Sequence, residues 1–378
     1  MPRPTARRRS SQATRTESIT LALGLGGAAM GLVVGLIALR GTVPLTGEDS
    51  IGQVAALSCL GTSAVVAAVA LWVLTPRVHP WIRRLPRWRR ALTVLGPALV
   101  YAVLALLLTG AMYAVAQQAF RGVALDRFAS TFWVALTTGI WAYVIAASAS
   151  RLDGRSLATL LMVFLTAGVL SAALAAPDPY WWEQFFSKLG AGRDRAGFTF
   201  NLTLLLTGLA FLTVGDFIAH DLGRWAAAAG EPRWKVQLVR GALVALGVCL
   251  ALVALVSLNV HAFWHNLIAE LLVVLFGLTL IVVPVLLRRL PGGLLVITGI
   301  AFAILVMLIV LFEGIGYLNM TAFELGAAVT VYLWLLLFIR AVSAAGEGAG
   351  EPEPTNAMGA AGRGTVPVRP CLHEPSEP

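Results

Sequence analysis

Charged side chains are scarce in this sequence of 378 residues, since Asp, Glu, Lys and Arg together make up only 12% of it. A soluble globular domain carries about 25% charged residues because its surface faces water. Hydrophobic residues make up 58%, and the mean hydropathy is +0.82. A surface with so little charge must be covered largely by lipid. The composition therefore predicts an integral membrane protein and excludes a soluble domain.

Lysine is almost absent: only Lys188 and Lys235 accompany 26 arginines, and the formal net charge is +9. A high positive charge can indicate a nucleic-acid partner. These arginines lie between apolar segments, where they fix topology and contact anionic lipid. We therefore expect membrane lipids, and no nucleic acid, as partners. Arginine in place of lysine, with abundant alanine and glycine, indicates a GC-rich bacterial genome and hence a bacterial plasma membrane.

Cysteine is equally rare, and its three copies, Cys59, Cys249 and Cys371, form no CxxC motif. Cys59 and Cys249 lie inside apolar runs, where a thiol behaves as a small hydrophobic group. The pattern predicts neither a disulfide framework nor a zinc-binding cysteine cluster, and no cofactor is expected.

Long apolar runs, in contrast, are abundant. A bilayer core about 30 Å thick requires roughly 20 apolar residues per helix, and only helices satisfy every backbone group within one segment. We therefore predict an all-α, polytopic membrane helix bundle of about ten transmembrane helices. The predicted helices cover residues 18–39, 51–75, 91–117, 129–150, 156–176, 198–219, 238–260, 265–287, 293–313 and 322–341.

The domain organisation follows from the polar segments at the two termini. Residues 1–17 form a basic tail, 18–150 a four-helix membrane region, 151–345 a six-helix membrane domain, and 346–378 a Gly-, Pro- and Glu-rich tail expected to be disordered. With the N-terminus inside, the inner segments hold 22 lysines and arginines and the outer segments hold 6. Because positive residues favour the cytoplasmic side, both termini are predicted to be cytoplasmic.

The inner segment 76–90, "PRVHPWIRRLPRWRR", contains six arginines together with Trp81 and Trp88. Arginine and tryptophan suit the head-group region of a membrane. We interpret the segment as an anchor that binds anionic lipid. A docking site for a specific lipid or protein is the alternative.

Gly27, Gly31 and Gly35 repeat every four residues along the first predicted helix. A stripe of small residues lets another helix approach closely. The expected neighbour is a helix of the same bundle, and a homodimer through this stripe is the alternative.

Three ionisable residues, Asp216, His220 and Arg224, follow one another at four-residue spacing near the inner end of the sixth helix. This spacing places them on one helical face and predicts a stacked Asp–His–Arg ladder. The ladder has two interpretations, a solvated helix end or a proton relay.

Polar residues also gather at the outer ends of the helices, above all in "NVHAFWHNLIAE", residues 259–270. Ionisable residues within a membrane are functional candidates by default. We therefore predict a polar, water-accessible cavity on the outer side, with Glu270 on the inner face of its helix, buried and either protonated or paired. The candidate binding residues are Asn201, His265, Asn266, Glu270, Glu313 and Glu324.

The spacing of His261 and His265 is one that zinc sites use on helices. Glu270 lies on a different face, and no HExxH motif is present. A zinc site would need a ligand such as Asp178 or Glu183 from another loop. No metal site is therefore predicted.

The outer loop 177–197 carries an aromatic cluster whose first members are Tyr180, Trp181 and Trp182, followed by Phe185 and Phe186. Aromatic residues are enriched where a membrane meets water. The pattern favours a short interfacial helix that anchors the loop, and a lid over the cavity is a compatible alternative.

The stretch "FFSKLGAGRDRAGFTFNLTLLLTG" followed by "NVHAFWHNLIAE" resembles the bacterial membrane proteins grouped as domain of unknown function 998, which are similar to the Frag1/DRAM/Sfk1 group of six-helix membrane proteins. The resemblance covers about residues 156–341. It implies no established reaction, although the eukaryotic relatives are linked to lipids and membrane trafficking. The residues that carry it are Ser187, Leu189, Gly190, Phe200, Asn201 and His265.

We expect a non-enzymatic membrane protein that binds or handles lipid through the outward-facing cavity. Asn201, His265, Asn266 and Glu270 would contact the head group, and the aromatic residues at 180–186 would flank the acyl chains. Two alternatives come from other classes. They are a small-solute or proton-coupled transporter and a metal-dependent hydrolase acting at the outer surface.

Overall fold

The computed structural model describes residues 4–287, 289 and 292–348. Within these residues it is an all-α bundle with ten helices long and apolar enough to cross a membrane. The predicted fold class and the predicted number of helices are confirmed. Apart from its first three residues, the tail predicted at 346–378 lies outside the described residues.

Each predicted segment corresponds to one helix. Eight of the ten helices are longer than predicted, the first and the sixth by more than ten residues, because polar and charged residues beyond the apolar segments continue the helical backbone. In chain order the helices are α1 Pro4–Ala38, α2 Ile51–Val78, α3 Arg87–Ala119, α4 Arg127–Ser150, α5 Gly154–Leu174, α6 Arg195–Ala229, α7 Arg233–Leu255, α8 Leu258–Leu286, α9 Gly292–Gly314 and α10 Met320–Gly348. Two short strands, β1 (Val43–Pro44) and β2 (Ala124–Leu125), pair antiparallel between the helices.

The connections alternate between two ends of the bundle. We call the end that holds the start of α1 and the last turn of α10 the terminal end, and the opposite end the distal end. The distal end holds β1, β2 and the connections 39–50, 120–126, 175–194, 256–257 and 315–319. The candidate site lies there.

Side chains at the first turns of several helices accept hydrogen bonds from backbone N–H groups that have no partner within the helix. Ser50 caps α2, Asp126 caps α4 and Asp194 caps α6. At α5, Asp153 accepts from the backbone of Ser156 at 2.7 Å, and the Ser156 hydroxyl accepts from the backbone of Asp153 at 2.9 Å. These caps set where the chain leaves each connection.

The glycine stripe of α1 packs against α4. A methyl group on Gly27 would overlap the side chain of Ala142, and one on Gly31 would lie 2.9 Å from the backbone of Ala135. Gly35 is equally close to Thr131. The expectation that the stripe packs within the bundle is confirmed, and a homodimer through the same stripe would have to displace α4.

The bundle has a centre and a periphery. In α6, 72% of the most apolar window is buried inside the protein, against 22% in α8 and in α9. Helix α6 therefore packs on all sides, whereas α8 and α9 expose most of their surface to lipid. One continuous apolar core reaches from Tyr101 of α3 through Phe211 of α6 to Trp334 of α10, so the two predicted membrane regions pack together.

Candidate functional site

The first turn of α8 is irregular. His261 has the extended backbone angles φ −163° and ψ 94°, so the first turn is separated from the rest of the helix. The break lets the chain turn sharply after α7 and bring the following residues under the connection 175–194.

His265 is the only one of the two histidines that is buried, with 5% of its surface exposed. Its Nδ1 lies 2.8 Å from the carbonyl oxygen of Val256, just beyond the last residue of α7. Carbonyls at a helix C-terminus lack a partner within the helix, and the ring N–H supplies one. With the proton on Nδ1, the Nε2 atom of the neutral ring is a hydrogen-bond acceptor.

Asn259 also has a structural partner. Its side-chain amide donates to the carbonyl of Ala191, which ties the first turn of α8 to the connection 175–194. Part of the polar stretch 259–270 therefore satisfies backbone groups that would otherwise be buried without a partner.

Glu324, in the first turns of α10, holds the same connection from the other side. Its carboxylate accepts the backbone N–H groups of Phe186 and Ser187, and the Ser187 hydroxyl donates to it at 3.3 Å. Asn319 adds a bond from its side-chain amide to the carbonyl of Trp182 at 3.3 Å. The connection is thus a fixed cover of the distal end and not a free loop.

The family-like motif has a physical explanation in the contact between this connection and α6. The Asn201 amide donates to the carbonyl of Gly190 at 2.8 Å. A methyl group on Gly190 would lie 2.5 Å from Asn201 Oδ1, so only glycine allows this approach. Leu189 and Phe200 are 3% and 2% exposed in the same apolar cluster. The motif therefore positions the connection.

The aromatic residues of the connection are divided between two environments. The backbone forms two short 3₁₀ turns, Trp181–Glu183 and Phe186–Gly190, in place of the interfacial helix that we predicted. Tyr180 and Trp182 are exposed, whereas Trp181 packs 6.3 Å from Phe186 between ring centroids. Tyr180 and Trp182 of the predicted aromatic cluster can therefore contact lipid, whereas Trp181 packs against the protein.

Four of the six predicted binding residues line one cavity of about 300 Å³ between α8, α9 and α10. His265, Asn266 and Glu270 come from α8, and Glu324 comes from α10. These residues form the distal rim of the cavity. The other lining residues are apolar. Ala269, Met320 and Phe323 lie level with the rim, and the deeper wall consists of Leu272, Val273, Phe276, Leu305, Ala327, Ala328 and Val331.

The other two predicted residues lie elsewhere. Asn201 borders a separate shallow depression beside Arg193, because its amide is turned toward the connection. Glu313 is exposed at the last turn of α9 and is not among the residues that line the cavity. The prediction that all six converge on one site is therefore wrong for these two.

The prediction that Glu270 is buried on the inner face of its helix is also wrong, because the side chain is exposed. The inner face of α8 is set by His265, Phe276 and Leu280. At 100° per residue, Glu270 lies about 140° from His265. Its carboxylate has no hydrogen-bond or ion-pair partner in the part of the chain that the structure describes, and it faces the open side of the cavity.

No family model, no curated protein and no solved structure matches this chain.

The metal-site alternative finds no ligand set. Among the described residues, no group of three or more His, Cys, Asp and Glu side chains could hold a metal ion. His261 is exposed beside the ring of Trp264, while His265 is bonded to Val256. The two histidines therefore do not converge on one point.

At the terminal end, the predicted Asp216–His220–Arg224 ladder does not form. One oxygen of Asp216 accepts from Arg89 of α3 at 2.6 Å and from Arg240 of α7 at 2.9 Å. His220 instead stacks on Trp81, with ring centroids 4.7 Å apart and planes at 14°. The three residues keep their four-residue spacing along α6. The ladder does not form because Asp216 pairs with arginines of α3 and α7 and His220 stacks on a tryptophan of segment 76–90.

The arginine-rich segment 76–90 is packed onto the bundle along one side. Ile82 is buried, and burial lowers the pKa of the neighbouring His79 imidazole. Arg90 lies over the ring of Trp72 at 4.1 Å. The remaining arginines are exposed together with Trp88, and they are Arg77, Arg83, Arg84 and Arg87.

Sequence reasoning missed the apolar wall of the cavity, including Phe276, Leu305 and Val331. In a membrane helix, an apolar residue that lines a cavity looks the same as one that faces lipid or a neighbouring helix. It also missed Arg89 and Arg240 as partners of Asp216. A buried carboxylate requires a cation, but the sequence offers many arginines at the terminal end and does not say which two are close.

Proposed function

We propose that this protein binds or handles a membrane lipid through the distal cavity, without catalysing a reaction. The observation that carries the proposal is the polarity of the cavity. Its rim holds His265, Asn266, Glu270 and Glu324, and its deeper wall is apolar. Ligand sites are mostly apolar with a few placed polar groups, and this order of polar rim and apolar wall suits a head group followed by an acyl chain.

The cavity is also accessible from the side. Glu270 is exposed together with its neighbours Leu271 and Val274, which are 52% and 57% exposed. On a membrane helix such apolar residues face lipid. A lipid can therefore enter between α8 and α10 without first leaving the bilayer.

We further propose that the distal end faces the outside of a bacterial plasma membrane and the terminal end faces the cytoplasm. Support comes from the 22 lysines and arginines assigned to the terminal side, against 6 on the other. The exposed arginines of segment 76–90 would then bind anionic lipid. The resemblance of residues 156–341 to domain of unknown function 998 agrees with a lipid-related role and stays a prediction.

The proposal is tested by filling the cavity. Ala269 lines it, whereas Ala262 is exposed on the same helix outside it. Native mass spectrometry of the detergent-purified protein should show bound lipid for wild type and for Ala262→Trp, and its loss for Ala269→Trp. Lipid retained equally by Ala269→Trp, or absent from wild type, would contradict lipid binding at this cavity.

A proton-coupled or small-solute transporter is the second hypothesis, because ionisable groups lie at both ends of the six-helix membrane domain, residues 151–345. Such a transporter needs a polar path between Glu270 and Asp216. At the deep end of the cavity, the ring centroid of Phe276 lies 5.6 Å from that of Trp334, and Trp334 stacks on Phe338 with centroids 4.8 Å apart. All three rings are buried, and this apolar layer favours a binding role over transport.

A further inference from the structure

In the part of the chain that the structure describes, the distal cavity is lined by acidic residues and by no lysine or arginine. Two carboxylates, Glu270 and Glu324, stand among the described residues that line it, and none of these lining residues is a lysine or an arginine. The connection 175–194, which contacts Glu324, has two basic residues, and both line other depressions: Lys188 lines one and Arg193 lines another. A head group that enters the cavity therefore meets carboxyl groups and no lysine or arginine side chain.

Among the polar groups that line the cavity, those without a hydrogen-bond partner in the described residues are acceptors, apart from the side-chain amide of Asn266. Glu324 is engaged by Phe186 and Ser187. His265, 95% buried on the wall, uses Nδ1 for Val256, so its Nε2 lone pair is the atom left without a partner among the described residues. Glu270 contributes a carboxylate without a partner there. A complementary ligand must donate hydrogen bonds.

The depth of Glu270 strengthens this requirement. It follows the helix break at His261 by nine residues, which corresponds to about 13 Å along the helix axis. The exposed rings of Phe263 and Trp264 lie between the two, where aromatic residues mark the membrane–water boundary. Glu270 is therefore on the lipid side of that boundary, and an isolated carboxylate is costly at this depth.

We propose that the cavity selects a lipid whose head group carries a primary ammonium, an inference that rests on the lipid-binding function proposed above. The ammonium donates to the Glu270 carboxylate on the open side of the cavity, and His265 Nε2 is a second acceptor on the cavity wall. Any phosphate of the same head group stays toward water, because the cavity wall offers it no cation. A quaternary ammonium cannot donate hydrogen bonds, and an anionic head group is repelled by the Glu270 carboxylate.

The test is a competition among lipids with identical acyl chains. The full-length protein is equilibrated in mixed micelles with equal amounts of dioleoyl phosphatidylethanolamine, phosphatidylcholine and phosphatidylglycerol, and bound lipid is identified by native mass spectrometry. Charge-assisted hydrogen bonds predict about a tenfold or greater preference of wild type for the ethanolamine lipid.

The matched variants are Glu270→Gln and Glu313→Gln. Glu313 is the same residue type at the same end but outside the cavity, so Glu313→Gln keeps the preference. Glu270→Gln loses it without loss of thermal stability, because Glu270 has no partner in the described part of the chain. Equal retention of the three lipids, a preference for another one, or a preference that survives Glu270→Gln overturns the ammonium inference while lipid binding stands. Wild type that retains no lipid overturns both proposals.

Discussion

At the scale of single residues, His265 shows how one side chain combines two roles. Its Nδ1 satisfies the carbonyl of Val256 and thereby fixes the turn between α7 and α8. The same bond orients the ring, so that the opposite nitrogen belongs to the cavity wall. Fold and site therefore depend on the same hydrogen bond.

Replacing His265 should weaken the fold as well as the site. His265→Ala leaves the Val256 carbonyl without its donor, and a buried group that loses its partner costs about 1–3 kcal/mol. We expect a lower thermal midpoint in detergent. His265→Asn should recover part of the loss, because its amide nitrogen occupies a position close to Nδ1.

The matched control is His261→Ala, since His261 lies four residues earlier on the same segment and is exposed. It should leave the thermal midpoint nearly unchanged. Equal midpoints for His265→Ala and His261→Ala would show that the bond to Val256 does not stabilise the turn.

At the scale of the elements, the close contact between α1 and α4 depends on glycines, which have no side chain. Gly31 lets the backbone of α1 approach Ala135 and Thr138, whereas a methyl group on Gly26 would meet nothing within 4 Å. The two glycines therefore differ in their surroundings although they lie on one helix five residues apart.

We expect Gly31→Leu to separate α1 from α4 and to lower stability by about 1–3 kcal/mol, the usual cost of overpacking. Gly26→Leu should have little effect on the thermal midpoint. Size-exclusion chromatography with light scattering distinguishes the alternative. A loss of dimer on Gly31→Leu, at unchanged monomer stability, would favour the homodimer over packing within the bundle.

The connection 175–194 is the second element whose role depends on its neighbours. Four side chains form hydrogen bonds with it: Glu324 of α10, Asn319 just before α10, Asn259 of α8 and Asn201 of α6. Four polar side chains of the membrane region thus hold one connection in place. Two of the six residues predicted as a binding site, Asn201 and Glu324, are therefore tethers of this connection.

At the scale of the whole molecule, the proposed orientation predicts which side a membrane-impermeant reagent can reach. In a Cys371→Ser background, Glu313→Cys at the distal end should react with an external maleimide in intact cells, and Arg84→Cys at the terminal end should react only after lysis. Both parent residues are exposed, and Cys59 and Cys249 are buried. The opposite labelling pattern would invert the orientation and place the cavity at the cytoplasmic side.

The number and order of helices could be predicted because length and hydropathy are local properties. Each helix satisfies its own backbone within one apolar segment, so each segment could be recognised without knowledge of its neighbours. The glycine stripe of α1 was predictable for the same reason, since a four-residue repeat is visible along a single helix.

The site could be predicted only in part. His265, Asn266 and Glu270 are close in sequence and stand out against apolar neighbours, and Glu324 was found as an ionisable residue at a helix end. The engagement of Glu324 by Phe186 and Ser187, and the turn of Asn201 away from the cavity, depend on contacts across more than ten residues of chain.

The sequence by itself determined the environment of this protein, its ten helices and the end of the bundle at which polar groups gather, because the cost of placing polar groups in lipid acts on each segment separately. Only the tertiary structure decided which of these groups are tethers and which are left to a ligand. A hydrogen bond joins two partners at a specific distance, and the packing of α6, α8 and α10 sets that distance.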